Sequence, residues 1–408
     1  MNKLRLVVIG NGMAGMRTVE ELLQLAPDRY DITVIGREPH GNYNRIMLSP
    51  VLAGEKAFAE IVTHDFGWYA ARGIVLLAGH VAMAVDRRLR VVTTDQGVTV
   101  SYDKLLLATG SLPFMIPLPG HDHPDVISFR DIADVRRMLR PTESPARVVV
   151  IGGGLLGLEA ANGLVRQGMA VTVVHDAAYL LNRQLDEEAA GLLRRELEAR
   201  GIAFRLAAAS SHISQDAESG QLRALHFKDG SDLPCDLLVM AVGVRPNVSL
   251  ARAMGLQVDK AILVNDTLQT FDPRIYAVGE CVQHRGALFG LVAPLFEQAS
   301  VCANHLAGIG IRRYQQKPAA TTLKVSGVAL FSAGAFQHAE ADTLCFRDVS
   351  RGIYKKLCVL GDTLVGAVLY GDTQDGGWYF DLIQRGCTVA HLRDTLLFGP
   401  GSDHADAA

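Results

Sequence analysis

Val150-Ile151-Gly152-Gly153-Gly154-Leu155-Leu156-Gly157-Leu158-Glu159 follows the apolar run Arg147–Ile151 and leads through a helical pattern into a second apolar run, Ala170–Val174. The order is strand, glycine turn, helix, strand. Gly152, Gly154 and Gly157 fit G-x-G-x-x-G. The first permits a tight turn, the second lets backbone approach a pyrophosphate, and the third lets helix and strand pack closely. Leu155 and Leu156 then open a helix whose free N–H groups face the phosphates. One such fingerprint is weak evidence. This chain carries two.

The other lies at the N-terminus. Residues 4–9 read as a buried strand, and Gly10-Asn11-Gly12-Met13-Ala14-Gly15 repeats the spacing. A helix through residues 20–23 stops near Pro27, and residues 31–35 form the next strand. This is a full βαβ unit, placed where FAD-binding domains usually have it. The ribose-binding acid should follow its second strand; the first available is Glu38, two positions late. Residues 41–49 carry groups suited to lining a cofactor, including Ser49. Arg45 there can pair with the pyrophosphate or lie on the surface.

Length and composition set the frame. At 408 residues the chain expects two or three domains and an ample core. With 49% hydrophobic and 20% charged residues it is ordinary globular material. A net charge of −3 with both signs mixed gives no support for nucleic acid or an anionic membrane as partner. Residues 4–9 are too short for a signal-peptide core, and no apolar run reaches membrane-spanning length, so a cytoplasmic location is expected. The six cysteines show no metal-ligand spacing and read as free thiols.

Residues 75–107, with Val81 in the cofactor set, read as short strands. Ala108-Thr109-Gly110 brings backbone near the cofactor. Pro113, Pro117, Pro119 and Pro124 mark a linker, whose His121 and His123 have no companion ligands. Arg130, another cofactor candidate, precedes Asp131, a candidate helix cap. After the second βαβ unit come His175 and Asp176. A carboxylate there favours NADH by repelling a 2′-phosphate; the histidine leaves NADPH open. Residues 186–200 form a charged helix, and strands near 222–228 and 236–242 follow. Gly243, in Val242-Gly243-Val244-Arg245-Pro246-Asn247, marks the return to the first domain. A strand at 275–278 delivers Gly279 and Glu280 to its end, where a carboxylate can hold the ribityl hydroxyls of FAD. Cys281 reads as a packed residue. Residues 291–305 form a helix with Pro294 in its first turn, aimed at the flavin, where its N-terminus would stabilise negative charge. Residues 308–322 read as a linker, 357–360 and 364–370 as a hairpin across Gly361-Asp362, 378–386 as a helix, and 399–408 as a disordered tail.

The two fingerprints, Ala108-Thr109-Gly110, Val242–Asn247 and Tyr276-Ala277-Val278-Gly279-Glu280 occur in an order that resembles the pyridine nucleotide–disulfide oxidoreductase superfamily. Tyr43-Asn44-Arg45, residues 182–186, Gly279-Glu280-Cys281 and residues 289–294 narrow the likeness. They are similar to the flavoprotein part of assimilatory NAD(P)H nitrite reductase large subunits and to the electron-transfer subunit of assimilatory nitrate reductase.

The resemblance implies an α/β fold of two Rossmann-like domains, one inserted in the other, with a C-terminal α+β domain. Residues 1–111 and 247–311 would bind FAD, 112–246 NAD(P)H, and 318–408 would form an interface for a partner or a homodimer. It implies that Glu159 lies near the nicotinamide as the catalytic candidate, that Glu280 replaces the usual aspartate, and that His175 goes with NADH. Two departures stand out. No cysteine occurs in 38–54, which argues against dithiol chemistry, and Pro50 replaces a lysine often found near the flavin. No residues here have the spacing to ligate a cluster or sirohaem, so nitrite reduction itself is not expected of this chain. The expected function is an FAD-dependent NADH reductase, with NADPH possible, feeding a nitrate or nitrite reductase subunit or a small iron–sulfur protein. A rubredoxin or ferredoxin reductase of another pathway and a redox-sensing flavoprotein are the alternatives.

Overall fold

The computed structural model describes residues 3–140, 146–317, 320–325 and 327–400. The N-terminal run forms strand β1, Leu4–Ile9, followed by helix α1, Met13–Leu25, and strand β2, Tyr30–Gly36. β1 and β2 pair in parallel from Leu4↔Tyr30 to Ile9↔Ile35. The sheet they nucleate has five parallel strands in the order 275–277, 104–107, β1, β2, 75–78. Parallel strands are covered on both faces, which is why Val7, Val8, Leu105, Leu106 and Leu107 are all at most 1% exposed. The strand 275–277 joins from far along the chain, so the residues between it and 104–107 form an insertion in this sheet.

Those intervening residues build the second parallel sheet. Strand β3, Arg147–Ile151, helix α2, Leu155–Arg166, and strand β4, Ala170–Val174, repeat the first unit. The strand order is 126–128, 237–240, β3, β4, 202–205. The chain leaves the first sheet at Ser111–Pro113 and returns at Val244–Pro246, and these two crossings pair antiparallel as a ribbon. Helix α3, Glu187–Ala199, is capped by Asp186, whose side chain accepts from Ala189 N.

The C-terminal residues form a five-stranded antiparallel sheet in the order 321–325, 328–334, 363–370, 353–360, 342–348. Its central hairpin turns at Gly361-Asp362 as the sequence predicts, but its strands start earlier, at Ile353 and Thr363. The sheet also begins at Thr321, inside the stretch read as a linker. The helix Gly376–Arg385 ends at Gly386, φ 59, a left-handed cap. Of the tail 399–408, residues 401–408 lie outside the described part.

One face of this sheet packs on that helix through Leu357, Leu369 and Tyr379. On the other, Leu330, Tyr354, Val368 and Tyr370 share a core with Leu158, Leu164 and Leu193 of α2 and α3. This sheet is therefore packed on both faces within the molecule. Withdrawing each such side chain from apolar contact costs roughly 1.5–3 kcal/mol. A chain ended at residue 316 is expected to melt lower by on the order of 10 °C or more; an unchanged thermal midpoint would show that the sheet is an independent appendage.

Candidate functional site: two glycine turns and one cleft

In the first turn, three glycines have different reasons to be glycine. Gly10 has φ +114, and a β-carbon there would lie 2.1 Å from the Ala108 carbonyl oxygen. At Gly15 a β-carbon would lie 2.8 Å from Gly10 O and 2.9 Å from Ala108 Cβ. These two let α1 sit down on the sheet. Gly12 has ordinary extended geometry, φ −90, and a β-carbon there would meet nothing within 4 Å. The protein itself does not need glycine at that point.

Side chains hold the turn. Asn11 donates to His40 O at 3.2 Å, accepts from Tyr69 OH at 2.6 Å, and its carbonyl accepts from Asn42 Nδ2 at 2.9 Å. Burial pushes the Tyr69 phenol up to about 12, so it stays a donor throughout the working pH range.

Gly12 opens into a cleft with a cavity volume of about 890 Å³. Of the sequence-predicted residues, Gly10, Gly12, Met13, Ala14, Glu38, Arg45, Ser49 and Val81 line it, as do Ala108, Thr109, Gly110, Arg130, Gly279 and Glu280. Glu38 lies two residues beyond β2 because that strand extends to Gly36. Its oxygens accept from Tyr43 OH at 2.7 Å and Arg45 Nη2 at 2.5 Å. A carboxylate has about four acceptor positions, so this pair leaves capacity for ribose hydroxyls. Glu280 accepts from Ser111 Oγ at 2.9 Å and pairs with Arg130 from the other sheet's side. Arg130 Nε is buried with no partner among the described residues.

Pro294 is not among the residues that line the cleft. It lies in the first turn of the helix Val292–Leu306, but Val292, Leu295 and Phe296 supply the wall there. Gly15 likewise sits beneath the wall, where its packing places it.

The second turn repeats the first. A β-carbon at Gly152, φ +125, would lie 2.4 Å from Ala241 O, and one at Gly157 would lie 1.9 Å from Gly152 O. Gly154, φ −85, again meets nothing within 4 Å. Gly243 has φ +118 where the chain leaves the second sheet. The fingerprint leaves Gly153 unexplained, but the structure accounts for it: a β-carbon there would lie 2.7 Å from His175 Cδ2. The His175 ring thus packs against the turn. Its Nδ1 lies 3.2 Å from Asp176 Oδ1, and its Nε2 is buried without a partner among the described residues. The Asp176 side chain is 87% exposed. Gly152, Gly154, Gly157, His175, Asp176 and Gly243 do not line the first cleft. Leu155, Leu156 and Glu159 do. The start of α2 therefore forms part of the wall of the cleft into which α1 opens.

Among the lining residues that sequence reasoning missed are Asn11, His40, His80, Asn247 and Thr322. Asn247 carried a signal, as the last residue of the Val242–Asn247 motif; its N–H donates to Gly110 O at 2.9 Å and its carbonyl accepts from Thr109 Oγ1 at 2.7 Å. Thr322 had none, because it arrives from the C-terminal sheet. Cys281 is fully buried, its Sγ 3.3 Å from Val278 O, and burial pushes its thiol up. It is a packed residue and not a thiolate.

The family model for pyridine nucleotide-disulphide oxidoreductases matches residues 4–305, both turns and the cleft included. The chain belongs to this family. Like the family, it is a flavin-dependent NAD(P)H oxidoreductase, with FAD and NAD(P)H as cofactors. A model for the rubredoxin NAD+ reductase C-terminal domain matches residues 319–387.

Among relatives, the chain is 46% identical over 406 residues to a Bacillus subtilis nitrite reductase [NAD(P)H], covering 99% of this chain and 50% of that one. It is 44% identical over 393 residues to the B. subtilis assimilatory nitrate reductase electron transfer subunit, covering 96% and 51%. It thus spans about half the length of these curated relatives. Among solved structures, the covalent putidaredoxin reductase–putidaredoxin complex superposes with a TM-score of 0.83 at 25% identity, over 95% of this chain and 94% of that one. Among the described residues, no helix is long and apolar enough to cross a membrane.

The residues fit the two dinucleotides on the structure's own terms. Gly12 and Gly154 each leave room for backbone to approach a pyrophosphate at a helix N-terminus. Arg130 Nε and His175 Nε2 are buried polar atoms without a partner among the described residues, one beside each turn.

Proposed function

We propose that this oxidoreductase takes electrons from NADH and passes them through FAD to a partner redox protein in assimilatory nitrate or nitrite reduction. The observation that carries the electron path is the shared cleft: Gly12, Met13 and Ala14 of the first turn face the same cavity as Leu155, Leu156 and Glu159 of the second unit. In this reading residues 1–111 and 247–311 hold FAD and 112–246 hold the nicotinamide nucleotide. Bound FAD accepts electron pairs from reduced nicotinamide and can release them singly; the protein supplies position and electrostatics.

Each group of residues then has its task. The N–H groups at the start of α1 face the FAD pyrophosphate, and Glu38, braced by Tyr43 and Arg45, accepts from its adenosine ribose. Glu280, braced by Ser111 and Arg130, faces the ribityl chain. Gly152 and Gly157 let α2 close onto its sheet, and Gly154 leaves room for the nicotinamide nucleotide's pyrophosphate. Asp176 disfavours a 2′-phosphate and so supports NADH, whereas His175 beside it leaves NADPH open. Glu159 lies one helical turn beyond Leu155, on the same face, and orients the nicotinamide. Glu159→Ala is expected to slow NADH-dependent flavin bleaching about tenfold by loosening that alignment, with the oxidised flavin spectrum intact. An unchanged rate and affinity would remove Glu159 from the mechanism.

The similarity to the B. subtilis nitrite reductase and nitrate reductase electron-transfer subunit supports the assimilatory acceptor. The match to the rubredoxin NAD+ reductase C-terminal domain favours a second reading, a reductase of a small iron–sulfur protein. Steady-state assays with NADH and NADPH, offering a nitrate reductase catalytic subunit, a nitrite reductase and a rubredoxin in turn, separate them. Preference for rubredoxin would sink the assimilatory reading; preference for NADPH would overturn the role given to Asp176.

A further inference from the structure

The segment between β4 and α3, residues 175–186, is held at its far end by the C-terminal sheet. Asp186 is 8% exposed and its two oxygens serve different elements. Oδ1 accepts from Ala189 N at 3.0 Å as the cap of α3; Oδ2 accepts from Tyr354 OH at 2.8 Å and lies 3.3 Å from Lys356 Nζ. Tyr354 and Lys356 are alternate residues of one strand and so share a face. Further ties run the same way. Gln337 Nε2 donates to Tyr179 OH at 3.1 Å and Leu185 O at 3.4 Å, and Arg347 grips Glu188 with bonds of 2.5 and 2.7 Å.

The other end of the segment touches the glycine turn. Leu181 has φ +49, a conformation that side chains of its kind rarely adopt. There its N–H donates to Gly153 O at 3.0 Å, while its own carbonyl accepts from Gln184 N at 2.7 Å and Leu185 N at 2.9 Å. Residues 181–185 thus close into one turn that runs directly into Asp186. The Gly153 carbonyl and the Gly154 N–H belong to the same peptide plane and, in a trans peptide, point opposite ways. Pinning the carbonyl with Leu181 therefore aims the Gly154 N–H away from Leu181, out of the turn.

We propose that Tyr354, assisted by Lys356, is a positioning residue for the nicotinamide dinucleotide, acting through Asp186 and Leu181 to orient the 153–154 peptide toward the pyrophosphate. This rests on the assignment of the second turn to NAD(P)H. It makes the C-terminal sheet a structural part of the nucleotide site. Burial and the bond to Asp186 push the Tyr354 phenol up, so it remains a donor.

The test uses the full chain loaded with FAD and follows flavin bleaching against NADH concentration. Tyr354→Phe removes one hydroxyl and keeps the ring. Its dissociation constant for NADH is expected to rise about fivefold to tenfold, in the range for residues that couple to a site without touching its ligand. The limiting bleaching rate and the flavin spectrum should stay within about twofold of the parent. Asp186→Ser keeps a capping oxygen but is too short for Tyr354, and should show the same split. The double variant should be no worse than either single, because both cut one chain of contacts. A lowered melting temperature with the NADH constant unmoved in both singles would assign Tyr354 to stability alone and overturn the proposal. If Gly154→Val leaves NADH binding intact, the assignment of the second turn fails instead; if Gly154→Val abolishes binding while Tyr354→Phe does nothing, only the positioning role fails.

Discussion

Gly12→Val protein is expected to melt within a few degrees of the parent and to carry no flavin. The usual objection to such a test is that glycine-turn substitutions wreck the fold. At Gly10 and Gly15 they would, because a β-carbon collides with backbone at 2.1 and 2.8 Å. Gly12 is different. Its φ of −90 and ψ of −179 suit any residue, and a β-carbon finds no protein atom within 4 Å. Only a ligand pressed against the turn can object. Losing two charge-assisted N–H contacts at roughly 1.5–3 kcal/mol each lowers affinity by about 10²- to 10⁴-fold. Flavin absorbance per protein after purification, read beside a thermal melt, gives the answer. A yellow Gly12→Val protein would mean that the first turn does not face the FAD pyrophosphate.

The mirror experiment separates the two sites. Gly154→Val is expected to keep its flavin but lose affinity for reduced nicotinamide nucleotide by roughly 100-fold or more, by the same loss of contacts. Gly154 shares the extended geometry, φ −85 and ψ 178, and the empty surroundings of Gly12. Dithionite should still bleach the variant, whereas NADH at ordinary concentrations should not. If both variants lost flavin, or both kept full NADH affinity, the division of labour between the two units would be wrong.

These two positions also show how far sequence reading reaches. The spacing Gly10-Gly12-Gly15 and its repeat at Gly152-Gly154-Gly157 are local facts, because each turn is built within one stretch of chain. The strands beside them are legible for the same reason: in a parallel sheet both faces are buried, so the apolar run is continuous and unmistakable. Glu38, Arg45, Thr109 and Glu280 were within reach as well, each at a strand end or beside a turn that the pattern already located. The helix that carries Pro294 could be placed by its periodicity, while the face it turns to the cleft depends on what it packs against. Gly153 was invisible as a requirement, since its constraint is the ring of His175, more than twenty positions away.

From the residues alone came the two nucleotide units, their order, the absence of a cysteine pair in residues 38–54, and part of the cleft wall. What needed three dimensions was how the C-terminal sheet meets the rest: Thr322 on the cleft, Tyr354 and Lys356 on Asp186, Arg347 on Glu188. Periodicity records which side of a strand is buried but not against which partner, and a hydrogen bond between residues 168 positions apart leaves no trace in the spacing of either.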